Sequence, residues 1–239
     1  MSKLSLIIRS IIFNILFLFG SLLISASVII TLPLPAICTT RLAKIWSGYS
    51  LWALKKICKL DYKIKGIENI PQNTKVILAS KHQSAWETVA YQHFFYPTVF
   101  MFKKELLFIP FFGLAILKTG SIPVNRGHGS RKMIQDLSKK FKNRLTKANI
   151  IIFPEGTRTK PNAKPNYKSG LTLITDNLKD ATILPIAMNS GTYWPKGSFI
   201  KYPGTIKMSI LPPIKRGNLS HSEFQELLVN TIEDEMKKL

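Results

Sequence analysis

The chain has 239 residues, with 34 Lys and Arg against 13 Asp and Glu, for a formal charge of +21. At 46% hydrophobic and 20% charged residues it is neither a disordered nor a polytopic membrane chain. It is long enough to bury a core without disulfide or metal staples. Cys38 and Cys58 make no disulfide framework and have no zinc or redox spacing. The basic excess points to an anionic partner: nucleic acid, an anionic membrane surface or a phosphorylated substrate.

Residues 1–60 hold seven basic residues and no acidic one, and the 31 residues between Arg9 and Arg41 carry no charge. A spanning helix needs about 20 apolar residues, so this stretch is long enough. A signal peptide has an apolar region of only about 7–15 residues, so the segment is expected to be retained. Pro33 and Pro35 break the helix near its end. Over 41–60, Leu42, Ile45, Trp46, Tyr49, Trp52, Ile57 and Leu60 recur at helical spacing, with Arg41, Lys44, Lys55 and Lys59 on another face. That pattern fits a helix lying in the headgroup layer. It also fits a core helix of the following domain. Two helices joined by a Pro-x-Pro turn would place both basic ends on the cytoplasmic side of the cell membrane.

From Asp61 onward apolar strand runs alternate with helical patterns. Lys75–Ala79, Val99–Phe102, Ser121–Val124, Asn149–Phe153, Thr182–Met188 and Thr205–Leu211 read as strands. Helices are expected over Ser84–Phe95, Gly170–Lys179 and Ser130–Lys147, the last with Met133, Ile134, Leu137, Phe141 and Leu145 as its apolar face. Ser220 and Glu223 form a capping box ahead of a C-terminal helix. The expected fold is α/β: a mostly parallel central sheet flanked by helices over 61–239, preceded by membrane-binding helices over 1–60.

In such folds ligands meet the loops after strand C-terminal ends, and three polar clusters stand there. His82 and Glu87 follow the first strand; a carboxylate beside a His suits a general base, because it orients the ring and stabilises the imidazolium. In one regular helix the two would point about 140° apart, so His82 must precede the helix that carries Glu87. Glu155, Gly156, Thr157 and Arg158 follow the Asn149–Phe153 strand, and Arg126 ends Gly120–Arg126. Arg on a turn suits a phosphate monoester; Lys103 and Lys104 follow another strand end. Each cation singly is equally a solvated surface group. Four scattered His and no Walker loop or dinucleotide fingerprint speak against a metal site or nucleotide cofactor.

The ordered blocks resemble the 1-acylglycerol-3-phosphate acyltransferases, within the glycerolipid acyltransferases. His82 to Glu87 matches a His-x4-Asp block with Glu for Asp. Gly120, Ile122 and Arg126 match the second block, Phe153-Pro154-Glu155-Gly156-Thr157-Arg158 the third, and Leu184-Pro185-Ile186-Ala187 the fourth. The resemblance covers roughly residues 75–191. It implies acyl transfer from coenzyme A or acyl carrier protein, as co-substrate rather than cofactor, to the sn-2 hydroxyl of lysophosphatidate. This would give phosphatidic acid in phospholipid synthesis. His82 would be the base, Glu87 its partner, and Arg126, Arg158 and Lys104 the phosphate ligands, with Glu155, Gly156 and Thr157 also in the acceptor site. Rival readings are another acceptor (glycerol 3-phosphate, a lysophospholipid or a lipid A precursor) or a non-catalytic basic protein. No base-stacking signature supports nucleic-acid binding.

Overall fold

The computed structural model describes residues 2–72, 74–124, 131–145 and 148–239. In chain order, α1 (Lys3–Ala26), α2 (Val28–Thr31) and α3 (Ala36–Ala53) precede β1 (Leu60–Lys65), β2 (Ile77–Ser80), α4 (Trp86–Phe94) and β3 (Thr98–Lys103). Then come α5 (Phe112–Lys118), β4 (Ile122–Val124), α6 (Arg131–Leu145), β5 (Asn149–Ile152) and α7 (Gly170–Thr175). β6 (Ile183–Met188), α8 (Ser190–Tyr193), β7 (Gly204–Ile210) and α9 (His221–Met236) complete the chain.

Among the described residues the strands form one sheet in the order β1-β7-β6-β2-β5-β3-β4. Every neighbouring pair is parallel except β6 and β7. This is the mostly parallel α/β sheet expected from the alternation of apolar runs and helices. Burial on both faces explains why its central strands are apolar throughout. Along β2 and β5, Leu78 and Ile151 point to one cluster while Ile77, Ala79, Ile150 and Ile152 point to the other. That is the two-residue period of a strand.

The first cluster joins the sheet to Phe13 of α1, Leu51 of α3, and Trp86, Val89 and Tyr91 of α4. The second joins it to Phe141 of α6, Leu171 and Ile174 of α7, and Phe224, Leu228 and Ile232 of α9. Leu137 and Leu145 of α6 pack at its edge; the side chains of Met133 and Ile134 lie outside the described ones. The capping box is formed: Ser220 Oγ accepts from Glu223 N at 3.2 Å, and Glu223 Oε2 accepts from Ser220 N at 2.8 Å.

The helix expected to run to residue 60 ends sooner. α3 closes at Ala53, a π turn spans Leu54–Cys58, and Lys59 adopts a left-handed φ of 56°. That turn delivers Leu60 into β1, which pairs with β7.

α1 docks along its length rather than standing free. Phe13 meets Trp194 edge-on at 5.6 Å, and Phe17 lies between Trp46 and Trp194. Lys201 is buried against this joint; its ammonium donates to Asn14 Oδ1 and to the Phe199 carbonyl and faces the Trp194 ring. Burial pushes its pKa down to about 8. At the hairpin tip, Lys118 of α5 donates to the carbonyls of Thr31, Leu32 and Leu34, capping the chain where the prolines end the helix.

Candidate active site

The strand order β6-β2-β5 puts three loops side by side at one end of the sheet. The middle loop, after β2, carries His82, and α4 begins with Glu87 in its first turn. His82 Nδ1 lies 3.7 Å from Glu87 Oε2. Nδ1 is buried with no hydrogen-bond partner among the described residues. Such contacts are long in substrate-free enzymes and tighten when substrate binds. The imidazole stacks on Phe153 at 3.8 Å with 15° between planes, which fixes its ring plane.

The Glu87 carboxylate is fully buried and turns back over the loop. It accepts from Gln83 N at 3.0 Å, from Ser84 N at 2.9 and 3.0 Å, and from Ser190 Oγ at 2.5 Å. Backbone amides of the preceding loop thus take the place of water, and the helix N-terminus adds a favourable field. Ser190 and Gly191 open α8 directly after β6, and the Gly191 N–H donates to Gln83 Oε1 at 3.1 Å. A Cβ on Gly191 would meet Gln83 Cβ at 2.7 Å, so only glycine allows the two loops to close.

The loop after β5 grips His82 from the other side. Glu155 Oε2 accepts from His82 N at 2.9 Å, while Thr159 N donates to His82 O at 2.8 Å. Glu155 Oε1 takes the Lys81 ammonium at 2.8 Å and the Thr159 hydroxyl at 3.0 Å. Both carboxylate oxygens are therefore engaged within the protein, Oε2 on the backbone of the base and Oε1 on Lys81 and Thr159. Gly156 turns the chain with φ 67°, and Thr157 is exposed, its hydroxyl taking the Lys196 ammonium at 3.3 Å.

His82 and Arg158 line a cavity of about 440 Å³. Its walls come from Phe17, Trp46, Phe100, Phe102, Leu106 and Ile116, among others, so it is mainly apolar. Lys103 reaches it, whereas Lys104 is exposed at the start of the 3-10 turn Lys104–Phe108 and does not line it. Arg126 lies outside the described residues. The sequence reading passed over Lys81, Ser190, Lys103 as distinct from Lys104, and Lys196. Of these, Lys81, next to the His82 block, and Lys103, at a strand end, carried a sequence signal. Among the described residues no three His, Cys, Asp or Glu side chains converge as metal ligands would.

The acyltransferase family model matches residues 61–189. A 1-acyl-sn-glycerol-3-phosphate acyltransferase of Pseudomonas aeruginosa is 39% identical over 168 residues, covering 70% of this chain and 64% of that protein. A chloroplastic 1-acyl-sn-glycerol-3-phosphate acyltransferase of Arabidopsis thaliana is 27% identical over 175 residues, covering 72% of this chain and 48% of its own length. The chain thus spans between about half and two thirds of these curated relatives. The crystal structure of the 1-acyl-sn-glycerophosphate acyltransferase PlsC from Thermotoga maritima matches with a TM-score of 0.78, at 20% identity and over 97% of both chains. At that identity the likeness is one of fold.

Proposed function

Because the chain belongs to the acyltransferase family, we propose that it moves a fatty acyl group from a thioester to the sn-2 hydroxyl of 1-acylglycerol 3-phosphate, giving phosphatidic acid. The observation that carries this reading is that His82, with Glu87 behind it, and Arg158 line one mainly apolar cavity. That the relatives are 1-acyl-sn-glycerol-3-phosphate acyltransferases adds support. His82, oriented by Glu87, takes the hydroxyl proton as the oxygen forms a bond to the thioester carbon. The C–S bond then breaks, and the departing thiolate takes up that proton. Buildup of imidazolium charge is met by Glu87, whose own charge is held by the amides of Gln83 and Ser84. Arg158 and Lys103 supply the positive charge for the acceptor phosphate, and the apolar walls receive an acyl chain.

The same reading places the chain on the cytoplasmic face of a membrane. The helix over Lys3–Thr31 is long and apolar enough to cross a bilayer by length and composition. Its packing on the body through Phe13 and Phe17 favours a segment lying in one leaflet. Exposed Ile15, Leu18, Leu22, Ile30, Ile45 and Trp52 would face lipid. The test offers the purified protein lysophosphatidate or glycerol 3-phosphate, each with acyl-coenzyme A and acyl carrier protein. Product from lysophosphatidate with either donor is expected; product from glycerol 3-phosphate alone overturns the acceptor assignment.

A further inference from the structure

Lys81 is the first residue beyond β2, and its side chain is only 3% exposed. Its ammonium lies 2.8 Å from Glu155 Oε1 and 2.7 Å from Glu233 Oε1 of α9. Glu233 Oε1 also accepts from the Tyr167 hydroxyl at 2.8 Å. Burial, and then Glu233, push the Tyr167 pKa far up, so this phenol stays a donor. The chain Tyr167–Glu233–Lys81–Glu155 therefore ends on the N–H of His82. It joins the catalytic loop to a C-terminal helix 152 residues away in sequence.

His82 has two buried carboxylates close by, and their roles differ. Glu87 faces the ring, whereas Glu155 faces the peptide. Two uncompensated carboxylates would both favour the imidazolium, and a base already protonated cannot take the acceptor's proton. Cations from the cavity side are Arg158 and Lys103, while Ser190 donates to Glu87 from the β6 side. Lys81 is the cation in contact with Glu155, which is 2% exposed.

We propose that Lys81 is a positioning residue for the acyl transfer assigned above. Clamped between Glu155 and Glu233, it neutralises the carboxylate that grips the His82 backbone, leaving Glu87 to tune the base. The inference rests on that functional reading for its effect on rate, but not for its effect on the ring.

The test compares the full-length wild type with Lys81→Met, Lys81→Arg, Glu155→Gln and the Lys81→Met/Glu155→Gln double variant. Two quantities are read: the pH profile of kcat/KM, and the titration midpoint of the His82 ring by NMR, assigned against His82→Ala. Lys81→Met is expected to move the acid limb and the ring midpoint upward by about one pH unit, about tenfold in rate on that limb. The double variant removes both charges while the Gln oxygen still accepts the His82 N–H, so both quantities should return toward wild type. Lys81→Arg should leave them in place. If Lys81→Met does not fold, Lys81→Gln, which keeps a hydrogen-bond donor but no charge, is read in its place and should also move both midpoints upward. A uniform loss of rate with unmoved midpoints, or a double variant no better than Lys81→Met, would overturn the proposal. Should the wild type transfer no acyl group while the midpoints shift as expected, the functional reading fails and the charge arrangement stands.

Discussion

At the loop after β2 the buried polar groups of Lys81, Glu87 and Glu155 all meet partners from within the chain. On the outer side of the hairpin the reverse holds. Large apolar side chains such as Leu4, Ile15, Leu18, Leu22 and Ile30 are exposed, while Ser10, Ser47 and Ser50 are buried on the inner side. Ser47 donates to the Val89 carbonyl and Ser10 accepts from Lys201 N, so the inner side is joined by hydrogen bonds and close helix approach. The first region is built to exclude water and hold charge; the second has its polarity turned inside out, as suits an apolar surrounding medium.

The comparison breaks most visibly at His82. His82→Ala is expected to lower kcat by about 10²–10⁴-fold with the fold and vesicle binding retained. Circular dichroism and flotation with vesicles check the second half of that statement. Arg158→Ala sits at the mouth of the same site, where a charge-assisted contact is worth about 1.5–3 kcal/mol. The acceptor KM should rise roughly ten- to a hundredfold while the thioester KM stays close to its original value. Equal changes in both constants would make Arg158 a structural residue.

On the hairpin the signs reverse. Leu18→Ser and Leu22→Ser alter exposed positions, so thermal stability in detergent should change by less than about 0.5 kcal/mol. Partition onto anionic vesicles should weaken by roughly ten- to a hundredfold for each, because burying a large apolar side chain is worth about 1.5–3 kcal/mol. Unchanged partition would detach this face from lipid. The smallest effect lies far from both regions: Ser220→Ala removes a capping-box acceptor from α9 and should cost about 0.5–2 kcal/mol of stability. Since α9 also carries Glu233, a fall in activity beyond that stability loss would show that the helix end matters to the site.

How far the sequence disclosed this arrangement follows from how local each signal is. The apolar runs Ile77–Ala79 and Ile150–Ile152 and the Ser220–Glu223 box are local and were readable. β1 was overlooked although Leu60, Tyr62 and Ile64 alternate with Asp61, Lys63 and Lys65 as a half-buried strand does, because Leu60 also continues the helical spacing before it with no glycine or proline between. The left-handed turn there falls on Lys59, a residue type that gives no warning. At the site, His82 and Glu87 were legible from their spacing and meet as a loop residue and a first-turn residue must. Lys103 and Lys104 differ by one position, but β3 ends at Lys103 and the 3-10 turn begins at Lys104, a boundary that two adjacent lysines do not announce. Ser190, and the partnership of Lys81 with Glu233, depend on β6 and α9 returning to β2, which no local pattern encodes. Glu155 was legible as a residue but not in its direction, since a turn after a strand can aim its carboxylate outward or back along the loop.

The central claim is that His82 and Glu87 act as one unit in proton transfer, and a double-mutant cycle on kcat tests it most directly. The account predicts that His82→Ala combined with Glu87→Gln is about as slow as His82→Ala alone, because a partner without its base has nothing left to orient. A double variant slowed by the product of the two single losses would contradict it.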